Sequence, residues 1–424
     1  MHEIKVRPST AVTRYRGREP KPTEVGSALQ VDAIIKGTFT RHGDDCTISM
    51  QLVDAHSGQE IWGGQYQRAY AEVLPLPDDM VLTVAERLCP RLADEDRRRL
   101  RKRYTSDAEA NQLYLLGCYY WNRRTPEGIK KAFGCFHKAI ERDHSFALAY
   151  AGLADCAAIT TWSIEEPPLR GYREARANAS KALALDDSLA EAHAAMAYVV
   201  GCCDWDWTAA EQEIKRSIEL DPNYATAHLW YGRFLSAMSR DSEAISEMRL
   251  ALQLDPTSLA INANLAAALL HAGQQDQALE QGLATVQMEP HFPLGHVWLG
   301  FVYERMGKLP ESLQEFQTTA RLFPGAKQEA NLAWIYAISG KKSEARGVLE
   351  RLQKAKEKGR YLTPSALAGV YAALAEKDQA FRLLDEACAD RDPWLVDLRV
   401  DHTFALLRSD PRYAKILERM HFPP

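Results

Sequence analysis

Four prolines, Pro222, Pro256, Pro290 and Pro324, stand 34 residues apart. A fixed period of that length marks a repeated supersecondary unit and constrains the architecture more than any local propensity does. Asp221 and Asp255 precede the first two prolines, Glu289 the third and Phe323 the fourth. Ahead of each lies an amphipathic stretch that closes on a similar phrase, as in Ser217-Ile-Glu-Leu-Asp-Pro222 and Ala251-Leu-Gln-Leu-Asp-Pro256. Proline stops a helix because it turns the residue before it away from the helical conformation. It also suits the first turn of the helix that follows, where its missing N–H costs nothing.

The positions between the prolines repeat as well. One period holds His228, Tyr231, Gly232, Leu235, Ala244, Met248 and Ala251. The next holds Asn262, Leu265, Ala266, Leu269, Ala278, Gly282 and Thr285, and the third His296, Leu299, Gly300, Tyr303, Ser312, Phe316 and Thr319. Small residues recur where two helices of a hairpin approach. Large ones recur where hairpins meet. One such hairpin cannot bury its apolar face alone, so neighbours stack. This pattern of large, small and proline positions resembles the tetratricopeptide-repeat (TPR) family.

The frame runs on in both directions. Upstream it meets Leu116, Gly117, Tyr120, Ala132, Phe136 and Ala139, then Tyr150, Leu153, Ala154, Ala175, Ala179 and Ala182 around an insert at Trp162–Pro168, then His193, Met196, Ala197, Ala210, Ile214 and Ser217. Downstream it meets Leu332, Ala333, Tyr336, Ala345 and Leu349, then Leu367, Ala368, Tyr371, Ala380, Leu384 and Ala387. The resemblance implies a mostly α chain: a right-handed α-solenoid of about eight helical hairpins over 107–390. Residues 391–424 are shorter-phrased and more charged, and are read as a segment capping the last apolar face.

The first 95 residues have a different period. Ile48, Met50 and Leu52 alternate with Thr47, Ser49 and Gln51, the pattern of a half-buried strand. Turns at His42–Asp45 and His56–Gly58 place strands on either side, from Asp32 to Arg41 and from Glu60 to Tyr66. A short strand at Ile4–Arg7 and a helix at Thr23–Gln30 precede them, and a helix from Pro77 to Leu92 follows. This is a small α+β domain ahead of the helices. The run from Arg7 to Gly17, Val31–Phe39, Gln51–Gly58 and Trp62 resembles the TolB-like domain of bacterial multidomain regulators. Asp204-Trp-Asp-Trp207 and Arg391-Asp-Pro-Trp394 are similar to phrases of the same proteins. The elements that open such a domain are missing ahead of Ile4, which implies a shortened domain with an exposed sheet edge and an uncovered apolar face. The resemblance also implies an output module elsewhere: a winged helix, a serine/threonine kinase or a nucleotide cyclase.

Composition narrows the function classes. The net charge of −5 argues against direct nucleic-acid binding, which needs a basic footprint. The single basic run, Arg97–Arg103, lies in a linker at 96–106 and follows Asp94-Glu-Asp96, which offsets its field. No apolar run is long enough to span a bilayer. The first residues lack the apolar core of a signal peptide, so a cytoplasmic location is expected. The eight cysteines form no C-x-x-C pair, and adjacent Cys202 and Cys203 read as small buried residues. No phosphate loop, G-x-S-x-G, H-E-x-x-H or kinase signature occurs. Acidic pairs such as Asp186-Asp187 read as helix-start residues. His193, His228 and His296 fall at one repeat position in successive hairpins, too far apart to share an ion. Neither an enzyme nor a cofactor is expected.

A partner is therefore expected to be a protein or peptide. TPR arrays bind through a concave face lined by the first helix of each hairpin. Here the resemblance places Tyr198, Arg233, Phe301 and Trp334 on that face, with His271, Glu304 and Arg305 beside them. Asp155 and Ala267 take the equivalent place in two further hairpins. The Lys and Asn clamp for an acidic chain end is absent. An apolar or aromatic-containing peptide fits these residues better. Two readings stay open: a stand-alone scaffold, and the sensory part of a regulator or kinase whose output domain is elsewhere. The partner's identity and the oligomeric state are not legible in the sequence.

Overall fold

The computed structural model describes residues 20–69, 78–88, 102–163 and 166–423, and Arg7, Val12, Tyr15 and Arg97 as single positions. The strand expected at Ile4–Arg7, most of the TolB-like opening run and most of the basic run lie outside the described residues. The chain divides into two compact units, residues 1–152 with 254–257, and residues 153–253 with 258–424.

The first unit opens with helix α1 (Pro22–Leu29) and a three-stranded antiparallel sheet, β1 (Ala33–His42), β2 (Asp45–Asp54) and β3 (Glu60–Ala69), in that spatial order. The alternation in β2 sets the register: Ile48 lies opposite Phe39 and Tyr66, and Leu52 opposite Ile35 and Trp62. Ile48 and Leu52 are buried, whereas Ile35 and Phe39 on β1 each expose 51% of their surface. Val25 and Leu29 of α1 form a small core with Tyr15, Val31 and Ile34. Helix α2 (Asp78–Leu88) follows the sheet.

The unit continues with α3 (Ala108–Asn122) and α4 (Pro126–Arg142), which pack together. Asp107 caps α3 by accepting from the N–H of Ala110 at 2.8 Å, and Thr125 caps α4 through Gly128 at 3.1 Å. Phe136 is 1% exposed, with Gly117 and Gly152 against its ring. A Cβ at Gly117 would lie 2.5 Å from the ring, and one at Gly152 2.6 Å. Only glycine lets two helices come that close to an aromatic plane.

The second unit takes up α5 (Ala147–Ser163) from residue 153 and continues through α6 (Pro168–Leu185). Six further helix pairs follow: α7 (Ala190–Val199) with α8 (Trp207–Leu220), α9 (Ala225–Ala237) with α10 (Asp241–Leu254), α11 (Leu259–His271) with α12 (Gln275–Met288), α13 (Pro293–Arg305) with α14 (Leu309–Leu322), α15 (Ala326–Ile338) with α16 (Lys342–Glu357), and α17 (Pro364–Ala373) with α18 (Lys377–Asp390). The second helices α8, α12 and α14 pack on the next first helices α9, α13 and α15. Where a small residue was read at the close approach, the facing side chain fills the space: Met248 against Gly232, Phe316 against Gly300. No described helix is long and apolar enough to cross a membrane.

The periodic prolines do one of the two jobs expected of them. Asp221 and Glu289 leave the helical region, as a residue before proline should. The prolines themselves lie in the turn, and the next helices begin only at Ala225, Leu259, Pro293 and Ala326. First-turn prolines are a different set: Pro126, Pro168, Pro293, Pro310, Pro364 and Pro411.

The histidines at the shared repeat position pin these turns. His228 lies 2.6 Å from Glu247 through Nδ1 and 3.0 Å from the Pro222 carbonyl through Nε2. His296 repeats this with Glu315 at 2.6 Å and the Pro290 carbonyl at 2.9 Å. His193 repeats it with Glu213 at 2.6 Å and the Asp187 carbonyl at 3.0 Å. In the hairpin between, an amide pair does the same work: Gln281 donates to Asn262 at 2.7 Å. Each pin ties the start of a first helix to its second helix. The hydrogen bond to Glu315 raises the His296 pKa above its ordinary 6.5. The folded state then holds its proton more tightly than the unfolded chain. The resulting stability is complete below pH 6.5 and disappears as pH rises through the higher folded value. Converting the pair to the amide form already present one hairpin earlier, His296→Asn with Glu315→Gln, should remove that slope. Urea midpoints from pH 5 to 9 should fall across this window for the native chain relative to the variant. Parallel profiles would refute the assignment.

Candidate functional site

The first helices of the second unit carry the large side chains Trp162, Tyr198, Arg233, Phe301 and Trp334, and these are covered. Residues 391–423 lie across them. The segment forms two short 3-10 turns, Pro393–Asp397 and His402–Leu407, then helix α19 (Pro411–Arg419). Asp392, Asp401 and Asp410 open the three elements by accepting from backbone N–H groups at 3.1, 2.8 and 3.1 Å. Leu395, Leu398, Leu407 and Met420 are fully buried.

The contacts are spread over α5, α9, α13, α15 and α17. The Trp394 ring meets Trp162 of α5 edge-on at 4.5 Å, and the Lys327 ammonium of α15 stands 4.2 Å from its centroid. Asp397 pairs with Arg233 of α9 at 3.3 Å, and that guanidinium also lies 4.2 Å over Trp162. Val396 lines a cavity together with Tyr198, Trp230 and Phe234. His402 lies edge-on to Phe301 at 5.5 Å and Trp334 at 5.8 Å, with Glu304 2.8 Å from its Nε2. Asp392 accepts from the backbone N–H of Ser365 at 3.0 Å. At the far end Trp207 donates to the Met420 carbonyl at 2.9 Å and stacks on Phe422 at 4.8 Å.

Six of the seven residues expected on the partner-binding face are therefore brought together around this segment or just beneath it. Tyr198 is buried between Trp230 and Trp162, its hydroxyl 2.5 Å from that of Thr161. Arg233 holds Asp397, and Glu304 faces His402. The Phe301 and Trp334 rings meet at a tilt, 5.4 Å apart, and both touch Phe316. His271 lies beneath, 3.0 Å from the Ser236 hydroxyl and edge-on to Trp298, and burial lowers its pKa. Arg305 stands apart, exposed at the end of α13. The small side chains Ala194, Ala263, Val297 and Ala330 of the same helices are buried.

The electrostatics match across the contact. The segment carries Asp392, Asp397 and Asp401, and the helices offer Lys327 and Arg233. Burial raises the pKa of Asp392 and lowers that of Lys327, and each opposes the shift in the other. Read as a cap, the segment should touch the last hairpin alone. It does touch α18, where Arg412 pairs with Asp378 at 2.8 Å and Arg419 with Asp385 at 3.0 Å. It also reaches back as far as α5. The sequence carried a signal for this: Trp394, Leu395, Val396, Leu398, Phe404 and Leu407 are too many apolar residues for a solvated end. A second signal was the pair of phrases around Trp205 and Arg391. Both residues have positive φ, and the Arg391 guanidinium stacks 3.7 Å over the Trp205 ring.

No family model matches the chain. Among solved structures it is similar to a complex of IFIT1 with m7Gppp-AAAA, at 15% identity and a TM-score of 0.50 over 81% of this chain and 75% of that one. It is also similar to yeast Tom70, at 18% and 0.43 over 74% and 68%, and to YrrB, described as a TPR protein with an unusual peptide-binding site, at 19% and 0.30 over 46% and 94%. The likeness is one of fold. A curated relative is the "Putative adenylate cyclase 3" of Rhizobium meliloti (strain 1021), 25% identical over 186 residues. The match takes in 43% of this chain and 31% of the length of that relative.

Proposed function

We propose that the chain is an interaction scaffold whose first-helix face binds a protein or peptide segment. The array is proposed to continue as a right-handed solenoid of about eight hairpins, with the TolB-like domain at 1–95 ahead of it. One observation carries the reading: the face holds a segment of the same chain, two 3-10 turns and a short helix, through aromatic, cationic and carboxylate contacts. A face that holds one peptide segment has the side chains to hold another. The proposed setting is bacterial signalling or transcriptional regulation, in the cytoplasm.

A second reading has its own support. The curated relative is named as a cyclase and is about three times as long as the part matched. On this reading the chain is the sensory half of a multidomain regulator, and its output activity belongs to another segment or another protein. Both readings give the array the same task.

The test is capture by the immobilised full chain. Proteins retained by the native chain should be lost with Arg233→Glu while the helical circular-dichroism signal stays. Retention of the same proteins by that variant would remove the first-helix face as the binding surface.

A further inference from the structure

We propose that residues 393–398 are a resident ligand, and that the external partner carries the same short chemistry: a Trp, a bulky apolar residue two positions on, and an Asp three positions on. The inference rests on the scaffold reading and adds the identity of the recognised motif. It stands on three features of the structure.

The first is that recognition is concentrated. Trp394 is contacted by the Trp162 ring and the Lys327 ammonium, and Asp397 by the Arg233 guanidinium. An aromatic anchor beside a paired charge, both partly desolvated, is the composition of an interface hot spot. The spacing from Trp394 to Asp397 matches one 3-10 turn, which brings both onto the first helices. The second is that the resident sequence fits incompletely. Beside Val396 lies a cavity of about 60 Å³, walled by Trp162, Tyr198, Trp207, Trp230 and Phe234. A side chain longer than valine fills it. A partner with Leu or Met at this place therefore has an advantage over the chain's own segment, of about fourfold in affinity for each added methylene.

The third is that the resident ligand is tethered. α19 has contacts of its own, the Arg412–Asp378 and Arg419–Asp385 pairs and Trp207 on Phe422, and its Tyr413 donates to the Leu398 carbonyl at the end of the turn at 2.5 Å. On this proposal the Trp394 and Asp397 side chains leave the first helices while α19 stays in place. A tether of this kind gives an effective concentration on the order of millimolar, so a free peptide competes poorly until the resident anchors are weakened.

The test uses the full chain and a fluorescent peptide that copies residues 391–404. Trp394→Ala with Asp397→Ala in the chain removes the resident anchors and leaves the face intact. This variant should bind the peptide at least tenfold more tightly than the native chain does. A peptide with Val396→Leu should gain about fourfold more. Adding Arg233→Glu to the chain should abolish binding, and a peptide with Asp397→Lys should restore it. The proposal is overturned if the weakened chain keeps its helical signal yet binds no better than the native one, or if binding ignores Arg233. It is also overturned if the weakened chain loses its helical signal, because 393–398 would then be core and not ligand. If peptide binding fails while Arg233→Glu still abolishes capture of partners, the scaffold reading stands and the motif falls. If both fail, both fall.

Discussion

Trp334→Ala is expected to destabilise the second unit by about 3–5 kcal/mol, the usual cost of emptying a buried aromatic site. Trp334 is 5% exposed. Its ring meets Phe301 at 5.4 Å, Phe316 at 6.2 Å and His402 at 5.8 Å. It thus joins three elements: its own helix α15, the preceding hairpin α13–α14, and the C-terminal segment. Truncation removes the transfer energy of a large side chain, leaves a cavity, and forfeits aromatic pairs each worth about 0.5–1.5 kcal/mol. Urea unfolding followed by circular dichroism gives the number. Trp334→Phe should cost far less, because a smaller ring keeps most of the contacts. A loss under about 1 kcal/mol for the alanine variant would show that the site is not packed as described. Removing Trp334 and Phe301 together, the obvious way to probe a binding face from sequence, therefore damages packing as well. Arg233 is the better probe, since its contacts are with Trp162 and with Asp397 of the C-terminal segment.

In the first unit, Phe136→Ala is expected to cost about 3–5 kcal/mol. The Phe136 ring is sealed by Gly117 and Gly152 and touched by Tyr114 at 5.7 Å. Two glycines cannot close over a void, because they have no side chain to move into it. The companion change, Gly152→Ala, sets a Cβ 2.6 Å from a ring that has nowhere to go, and should cost about 1–3 kcal/mol by overpacking. Pairing the two changes in one chain should recover part of the loss, since the new methyl enters the space the ring left. Measured losses that simply add would show that Phe136 and Gly152 do not share a site.

Much of this was legible in the sequence, and the reason is periodicity. Gly232, Gly300 and Phe136 were read as close-approach and filling positions, and the structure packs Met248, Phe316 and the glycine pair there. Repeat positions report packing because every hairpin solves the same problem. The prolines were half legible: their effect on the residue before them is local, whereas their distance from the next helix depends on how the turn is held. His228 and His296 hold that turn by bonding the carbonyls of Pro222 and Pro290 six residues back. The C-terminal segment was least legible because it has no period. Its partners lie far away in sequence, Trp207 for Met420 and Arg233 for Asp397. Local reading sees charge at Asp401, Arg408 and Asp410 and infers a solvated end. It does not see that Leu395 and Leu398 need a surface to cover them, or that the first helices present one.

The placement of that segment on the first-helix face is the central claim, and two ring pairs test it directly. With tryptophan and phenylalanine side chains protonated in an otherwise deuterated chain, the account predicts nuclear Overhauser contacts between Trp162 and Trp394, whose rings lie 4.5 Å apart. It predicts the same between Trp207 and Phe422, at 4.8 Å. The first pair should lose its contact in the Arg233→Glu chain, and the second should keep it. Absence of both contacts in the native chain would contradict the account.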